Sequence, residues 1–167
     1  YSRYAANRER FARDMSRFGP VETAHEAEQA VRDLDIVVTA TMSREPVLRG
    51  EWLSEGSHLN VIGSNFLSKS EVDVEVFRRA SIVTVDSNEQ ARHEAGDFVE
   101  ALRSGVLHWG DIHDLSQVIS SRYPGRKNAS EITIFKSLGL GIEDIAVAIR
   151  VVEAARAAGL GQELPIE

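Results

Sequence analysis

Four polar clusters each stand at the end of a strand-like stretch, the first of them a partial one. They are Ser2-Arg3 at the start of the chain, Met42-Ser43-Arg44-Glu45-Pro46 after DIVVTAT, Ser64-Asn65 after LNVIG, and Lys136-Ser137 after EITIF. If the runs are neighbouring strands of an open α/β sheet, these clusters offer hydroxyls, amides and cations to one crevice, because ligands of such sheets collect beyond the carboxyl ends of the strands. Arg3 is the most interpretable member. At the end of the second strand of a dinucleotide-binding sheet an acid holds the two ribose hydroxyls of NAD, whereas an Arg accommodates the 2′-phosphate of NADP, and the forked donors of a guanidinium suit a phosphate. From spacing alone Arg3 reads equally as a solvated charge before a helix.

The remaining chemistry-bearing residues favour structural roles. The five histidines (His25, His58, His93, His108 and His113) form no helix-spaced pair, and His108 and His113 merely flank Asp111 in an acidic stretch, so no metal site is expected. The stretch DIHD reads as a loop or helix cap before it reads as a proton shuttle. Asp86 and Asp97 bracket a helical segment and suit caps. Trp52 and Trp109 read as packing residues, and Glu143 and Asp144 as acids complementing a helix N-terminus.

The elements that must position these groups alternate. Tyr1-Ser2-Arg3 reads as the tail of a strand that begins upstream, followed at once by an amphipathic helix from about Ala5 with Phe11 and Met15 on one face. Residues 24–34 have a helical pattern, 35–41 are a β-branched run, and 59–63 a short apolar run. Residues 71–80 are again helical in pattern, 81–86 (SIVTVD) and 131–135 read as strands, and 138–158 as a long helix. In that helix Ile142, Ile145, Ile149 and Val152 share a face and are expected to be buried, with Gly159 and Gly161 ending it. Near-continuous Val/Ile runs separated by helices require a parallel sheet covered on both faces, so the fold class is α/β, an open, doubly wound sheet.

Composition narrows the function classes. The chain has 167 residues, 43% hydrophobic and 27% charged, which suits a globular domain with a core. Its net charge of -7 and the absence of any basic stripe argue against a nucleic-acid partner. No apolar run approaches the roughly 20 residues that cross a bilayer, so the sequence reads as soluble and cytoplasmic. Without cysteine there is neither a disulfide framework nor a thiol nucleophile.

The segments DIVVTATMSREPVLRGEWLSEGSHLNVIGSN, KSEVD, VDSNEQARHEAGD and EITIFKSLGLGIEDIAVA, in that order and spacing, resemble the ornithine cyclodeaminase and mu-crystallin family over nearly the whole chain. The resemblance implies a homodimer with two domains per subunit, one for substrate and dimerisation and one a Rossmann-type domain holding NAD or NADP. On that reading residues 1–136 are the NAD(P)-binding domain without its first strand and glycine turn. Residues 137–167 are the long helix and C-terminal segment returning toward the substrate and dimerisation domain. The likeness places Ser2, Arg3 and Asn7 at the adenosine end, and Thr41 and Met42 beside the cofactor. It places Val61, Ile62 and Gly63 along the backbone near the nicotinamide ribose, Lys69 and Ser137 at further cofactor contacts, and Leu138 against the substrate.

Asn65 departs from the family pattern. Ornithine cyclodeaminases carry an Asp there that resembles a general acid or base, whereas an Asn cannot exchange a proton near neutral pH. The substitution moves weight from the lyase, which converts ornithine to proline and ammonia with catalytic NAD, toward the family's reductases and dehydrogenases of cyclic imino carboxylates or alanine-like substrates, with NADP preferred. There Asn65 orients the substrate. A third implied use of the scaffold is that of mu-crystallin, NADPH-dependent binding of a small ligand. The Arg and Lys that family members use on the substrate are expected upstream. With strand one central in such sheets, the segment alone is expected to leave a central gap.

Overall fold

The computed structural model describes residues 1–162, 164 and 165. Five strands, β1 (Ile36–Thr39), β2 (His58–Val61), β3 (Ala80–Val85), β4 (Ile112–Asp114) and β5 (Ile132–Lys136), form one parallel sheet in the order β1-β2-β5-β3-β4. Six α-helices accompany them: α1 (Ala5–Met15), α2 (Val74–Arg79), α3 (Asn88–Glu94), α4 (Gly96–Arg103), α5 (Leu115–Ile119) and α6 (Gly141–Ala157). The last strand enters at the centre, between β2 and β3, so the chain crosses over rather than meandering. This is the doubly wound α/β class that the apolar runs predict.

The core follows from those runs. Val37, Leu59, Val61, Val83, Val85 and Ile134 are buried sheet residues, covered by Leu48, Val76, Phe77 and Phe98. Phe98 meets Phe77 and Trp109 edge-on, at centroid separations of 5.5 and 6.3 Å, so Trp109 is a packing residue as expected. Trp52 also packs on the core. The row Thr39, Val61, Lys136, Val85 and Asp114 runs across the sheet in register at its carboxyl ends. Residues in one such row point to the same face.

Several sequence expectations are corrected. Tyr1–Arg3 is not a strand, since no partner strand pairs with it. Residues 24–34 contain only the single 3-10 turn Glu28–Ala30, and the segment closes with Asp33 at φ 59°, a conformation no helix continues. Helix α2 starts at Val74, because Asp73 accepts from the Val76 N–H and halts it there; Glu71 therefore lies outside the helix. The DIHD stretch does supply helix caps, Asp111 for a 3-10 turn and Asp114 for α5 in a reciprocal pair with Gln117, but its residues Ile112–Asp114 also form strand β4. The five strands pair without a gap, and β1 forms a free edge on which Ile36 and Val38 are exposed. Helix α6 ends at Gly159 and Gly161, both at positive φ, but none of its residues is buried. The expected burial of Ile142, Ile145, Ile149 and Val152 does not occur, because no element among the described residues packs over that face.

Candidate functional site

The row of residues at the carboxyl ends of the strands sits on a buried polar scaffold. Lys136, the last residue of β5, is fully buried with its Nζ 3.0 Å from Asp97 Oδ2 on α4, and it also donates to the Ser64 carbonyl. It is thus no cation of the crevice, contrary to the strand-end reading. Strand pairing extends one residue past the apolar run, and the alternation then turns its side chain inward beside Val61 and Val85. Asp97 is likewise no simple cap: its other oxygen accepts from the Glu71 N–H at 2.6 Å and from Ser70 Oγ at 3.2 Å.

Asp86 is no helix cap either. The cap of α3 is Ser87, which accepts from the Gln90 N–H. Asp86 instead reaches across from the end of β3 to the end of β5. Its Oδ2 accepts from the Leu138 N–H at 2.6 Å, the Gly139 N–H at 3.1 Å and Ser137 Oγ at 3.2 Å. The loop leaving β5 is therefore held by a charge-assisted triple contact. Because the Ser137 hydroxyl proton is committed to Asp86, its oxygen faces any ligand as an acceptor.

Glu71 completes the scaffold. It is 0% exposed, and its carboxylate accepts from Thr39 Oγ1 (3.1 Å), the Thr41 N–H (2.5 Å) and the Gly63 N–H (2.8 Å). Sequence reasoning missed Glu71 and misread Asp97, Lys136 and Asp86. The available signal was an acid or base inside an apolar stretch, as in SEVDVEVF and AGDFVEAL.

Above this scaffold Thr41 and Gly63 meet on Glu71 and Ser137 bonds to the Val61 carbonyl, with Met42, Ile62 and Asn65 as chain neighbours of these strand ends. Met42 and Ile62 are 66% and 47% exposed, an apolar rim beside the polar strand ends. Asn65 is exposed, Ser64 Oγ is buried with no hydrogen-bond partner among the described residues, and Lys69 reaches Met42 Sδ at 4.0 Å and stands over the Phe66 ring. Val61 contributes only backbone, its side chain being in the core, and its carbonyl accepts from the Ser137 N–H at 3.0 Å. Leu138 is also packed in the core, so this chain presents its main chain rather than its side chain. A groove of 420 Å³ between the 67–70 loop and α4 takes in Lys69, with Arg44 and Pro46 of the strand-end cluster, but none of the other positions that the family resemblance marks.

Ser2, Arg3 and Asn7 stand apart. Among the described residues no hydrogen bond joins this segment to the strand ends; Arg8 donates to the Ser2 carbonyl and Arg10 to Asn7 Oδ1. Arg3 is exposed and makes no ion pair among the described residues. His108 and Asp111 cap a 3-10 turn.

A parallel sheet inserted with its last strand at the centre, with hydroxyls, main-chain groups and an apolar rim gathered at its carboxyl edge, defines a Rossmann-type binding domain. The chain belongs to the ornithine cyclodeaminase/mu-crystallin family, whose family model matches residues 1–159. It is 44% identical to the alanine dehydrogenase of Archaeoglobus fulgidus over 83% of this chain and 42% of that one. It is 38% identical to the Delta(1)-pyrroline-2-carboxylate reductase of Bacillus cereus over 90% of this chain and 46% of that one. Among solved structures, that of Thermococcus litoralis Delta(1)-pyrroline-2-carboxylate reductase with NADH and L-proline superposes with a TM-score of 0.89 at 35% identity, over 97% of this chain and 51% of that one. The chain thus spans about half the length of the relatives it matches.

Proposed function

We propose that the protein to which this chain belongs is an NAD(P)-dependent oxidoreductase that moves a hydride between the cofactor and a small imino or amino acid, of the cyclic imino carboxylate or alanine type. The observation that carries this reading is the strapped carboxyl edge, on which Thr41, Met42, Ile62, Gly63 and Ser137 converge while the supporting charges stay buried. The groups present suit a dinucleotide: the apolar rim of Met42 and Ile62 fits a flat ring, main-chain groups of 61–63 and the Ser137 oxygen fit a ribose and a carboxamide, and Ser64 Oγ has bonding capacity to spare. Relatives whose names are reductases or dehydrogenases, and a neighbour holding NADH and proline, support the same class.

In this reading the bound nicotinamide supplies the hydride chemistry, and the protein aligns the two carbons and excludes water. Thr41, Met42 and residues 61–63 form the cofactor bed, with Lys69 at its margin. Ser137 accepts a hydrogen bond from the cofactor, Asn65 orients the substrate without exchanging a proton, and Leu138 shapes the substrate wall from beneath. Ser2, Arg3 and Asn7 take the adenosine end. The preference for NADPH rests on Arg3, an exposed guanidinium that makes no ion pair among the described residues. Residues 1–136 form the cofactor domain and 137–167 the segment that packs on a substrate and dimerisation domain. The protein is proposed to be a homodimer, in line with the archaeal alanine dehydrogenase whose structure is described as a dimer.

The test is nicotinamide absorbance on mixing the full-length protein with NADPH or NADH and a panel of cyclic and linear imino acids. Net oxidation, faster with NADPH, is expected, and Arg3→Ala should weaken NADPH binding by about tenfold while leaving NADH nearly unchanged. Ammonia release from ornithine with no net cofactor change would instead establish the lyase and show that Asn65 does not exclude it.

A further inference from the structure

We infer that Glu71 is a positioning residue of the dinucleotide site, a buried carboxylate that fixes the spacing of the two strand-end loops on which the cofactor rests; this rests on the cofactor reading above. The β1–β2 ladder ends with the Ile62 N–H donating to the Thr39 carbonyl at 2.9 Å. Beyond that rung the next two N–H groups, of Thr41 and Gly63, turn to Glu71 instead, so one side chain replaces the missing rung. Position 63 has no room for a Cβ: it would overlap the Thr41 backbone and the Glu71 carboxylate. The two loops are therefore pressed together with the carboxylate wedged against both.

Glu71 is itself anchored away from those loops. Its N–H donates to Asp97 on α4, and its carbonyl accepts from the Val47 and Leu48 N–H groups at 2.8 and 3.0 Å. The side chain is thus a post set by the core, and the loops of β1 and β2 are hung on it. Three donors converge on two oxygens, an arrangement only an acceptor-only group satisfies. An amide of the same size necessarily turns an NH2 toward the Thr41 N–H or the Gly63 N–H, opposing donor to donor. Glu71→Gln therefore spoils loop placement while hardly altering volume.

The experiment uses the full-length protein and NADPH and NADH as probes, with binding read from nicotinamide fluorescence and loop order from amide deuterium exchange. Glu71→Gln should raise the cofactor Kd by about tenfold and speed exchange at residues 40–44 and 61–66 more than within α4. A Kd within about twofold of the parent, even with a lowered Tm, would reduce Glu71 to a stabilising residue and overturn the inference. Should that variant fail to fold, Thr39→Val removes one donor at nearly constant shape, with an expected rise in Kd of about threefold; an unchanged Kd there also overturns it. If the parent protein binds neither dinucleotide, the cofactor reading falls and takes this inference with it, an outcome distinct from a parent that binds and a variant that binds equally well.

Discussion

Helices α4 and α6 begin alike, with a glycine and an acid in the first turn, and both carry apolar residues at helical spacing. Their fates differ. Helix α4 buries Gly96, Asp97, Phe98 and Ala101, with Phe98 set edge-on between two aromatic rings and Asp97 paired to the central strand. Helix α6 buries nothing over 17 residues, and Ile142 and Ile145 are 72% and 62% exposed. Periodicity states which face needs cover; only the position of a helix in the topology states whether the chain supplies it. Helix α4 lies within a β-α-β crossover and is pressed onto the sheet, whereas α6 follows the last strand.

Four measurements would break or sharpen that contrast. The largest effect is expected where α4 meets the sheet. Lys136→Ala strands Asp97 as an unpaired buried charge and should cost about 3–5 kcal/mol in urea unfolding; a loss below about 1 kcal/mol would mean water reaches the pair. Next, Ser87→Ala removes the cap that starts α3 and should cost about 1 kcal/mol, with no change in the unfolding slope m.

A smaller effect is expected from His58, at the opposite end of β2. Burial chiefly, with Arg126 adding to it, lowers its pKa below the usual 6.5, against the hydrogen bonds of Asn60 and Thr133 that raise it. Below pH 6.5 the unfolded imidazole takes up a proton that the folded one resists. Stability from this group is therefore complete above that pH and is lost as pH falls through the lower folded value. His58→Gln should flatten that part of a stability-against-pH curve; an unchanged slope would clear His58 of it. The smallest effect on stability belongs to α6. In the 167-residue chain alone, Ile145→Lys should change unfolding free energy by no more than about 0.5 kcal/mol while reducing self-association in sedimentation. In the full-length protein the same change should cost distinctly more if a second domain covers that face. Equal, negligible costs in both would show that the face stays open.

The residues themselves determined the fold class and marked the carboxyl ends of the strands as the place for a ligand edge. The runs around Val37, Leu59, Val83 and Ile134 read as strands of a parallel sheet with a ligand edge at its carboxyl ends, although in this chain Ile36 and Val38 leave one face of β1 uncovered. Asn65 and Ser137 were singled out because they stand just past those runs, whereas Thr41 and Gly63 were marked by the family resemblance. What holds them was not legible. Glu71, Asp86, Asp97 and Lys136 are charged residues that look solvated in a linear reading, and Glu71 falls in what reads as a helix. The pairing of buried Lys136 with Asp97, and the meeting of Ser137 with half-buried Asp86, depend on β5 entering between β2 and β3. The exposure of α6 was equally invisible, since a pattern in sequence records the need for a partner and not its presence. Local chemistry along the chain thus determined which residues face the ligand edge, and the tertiary structure decided which charges were taken out of water to hold that edge in place, because desolvation and pairing are properties of neighbours in space.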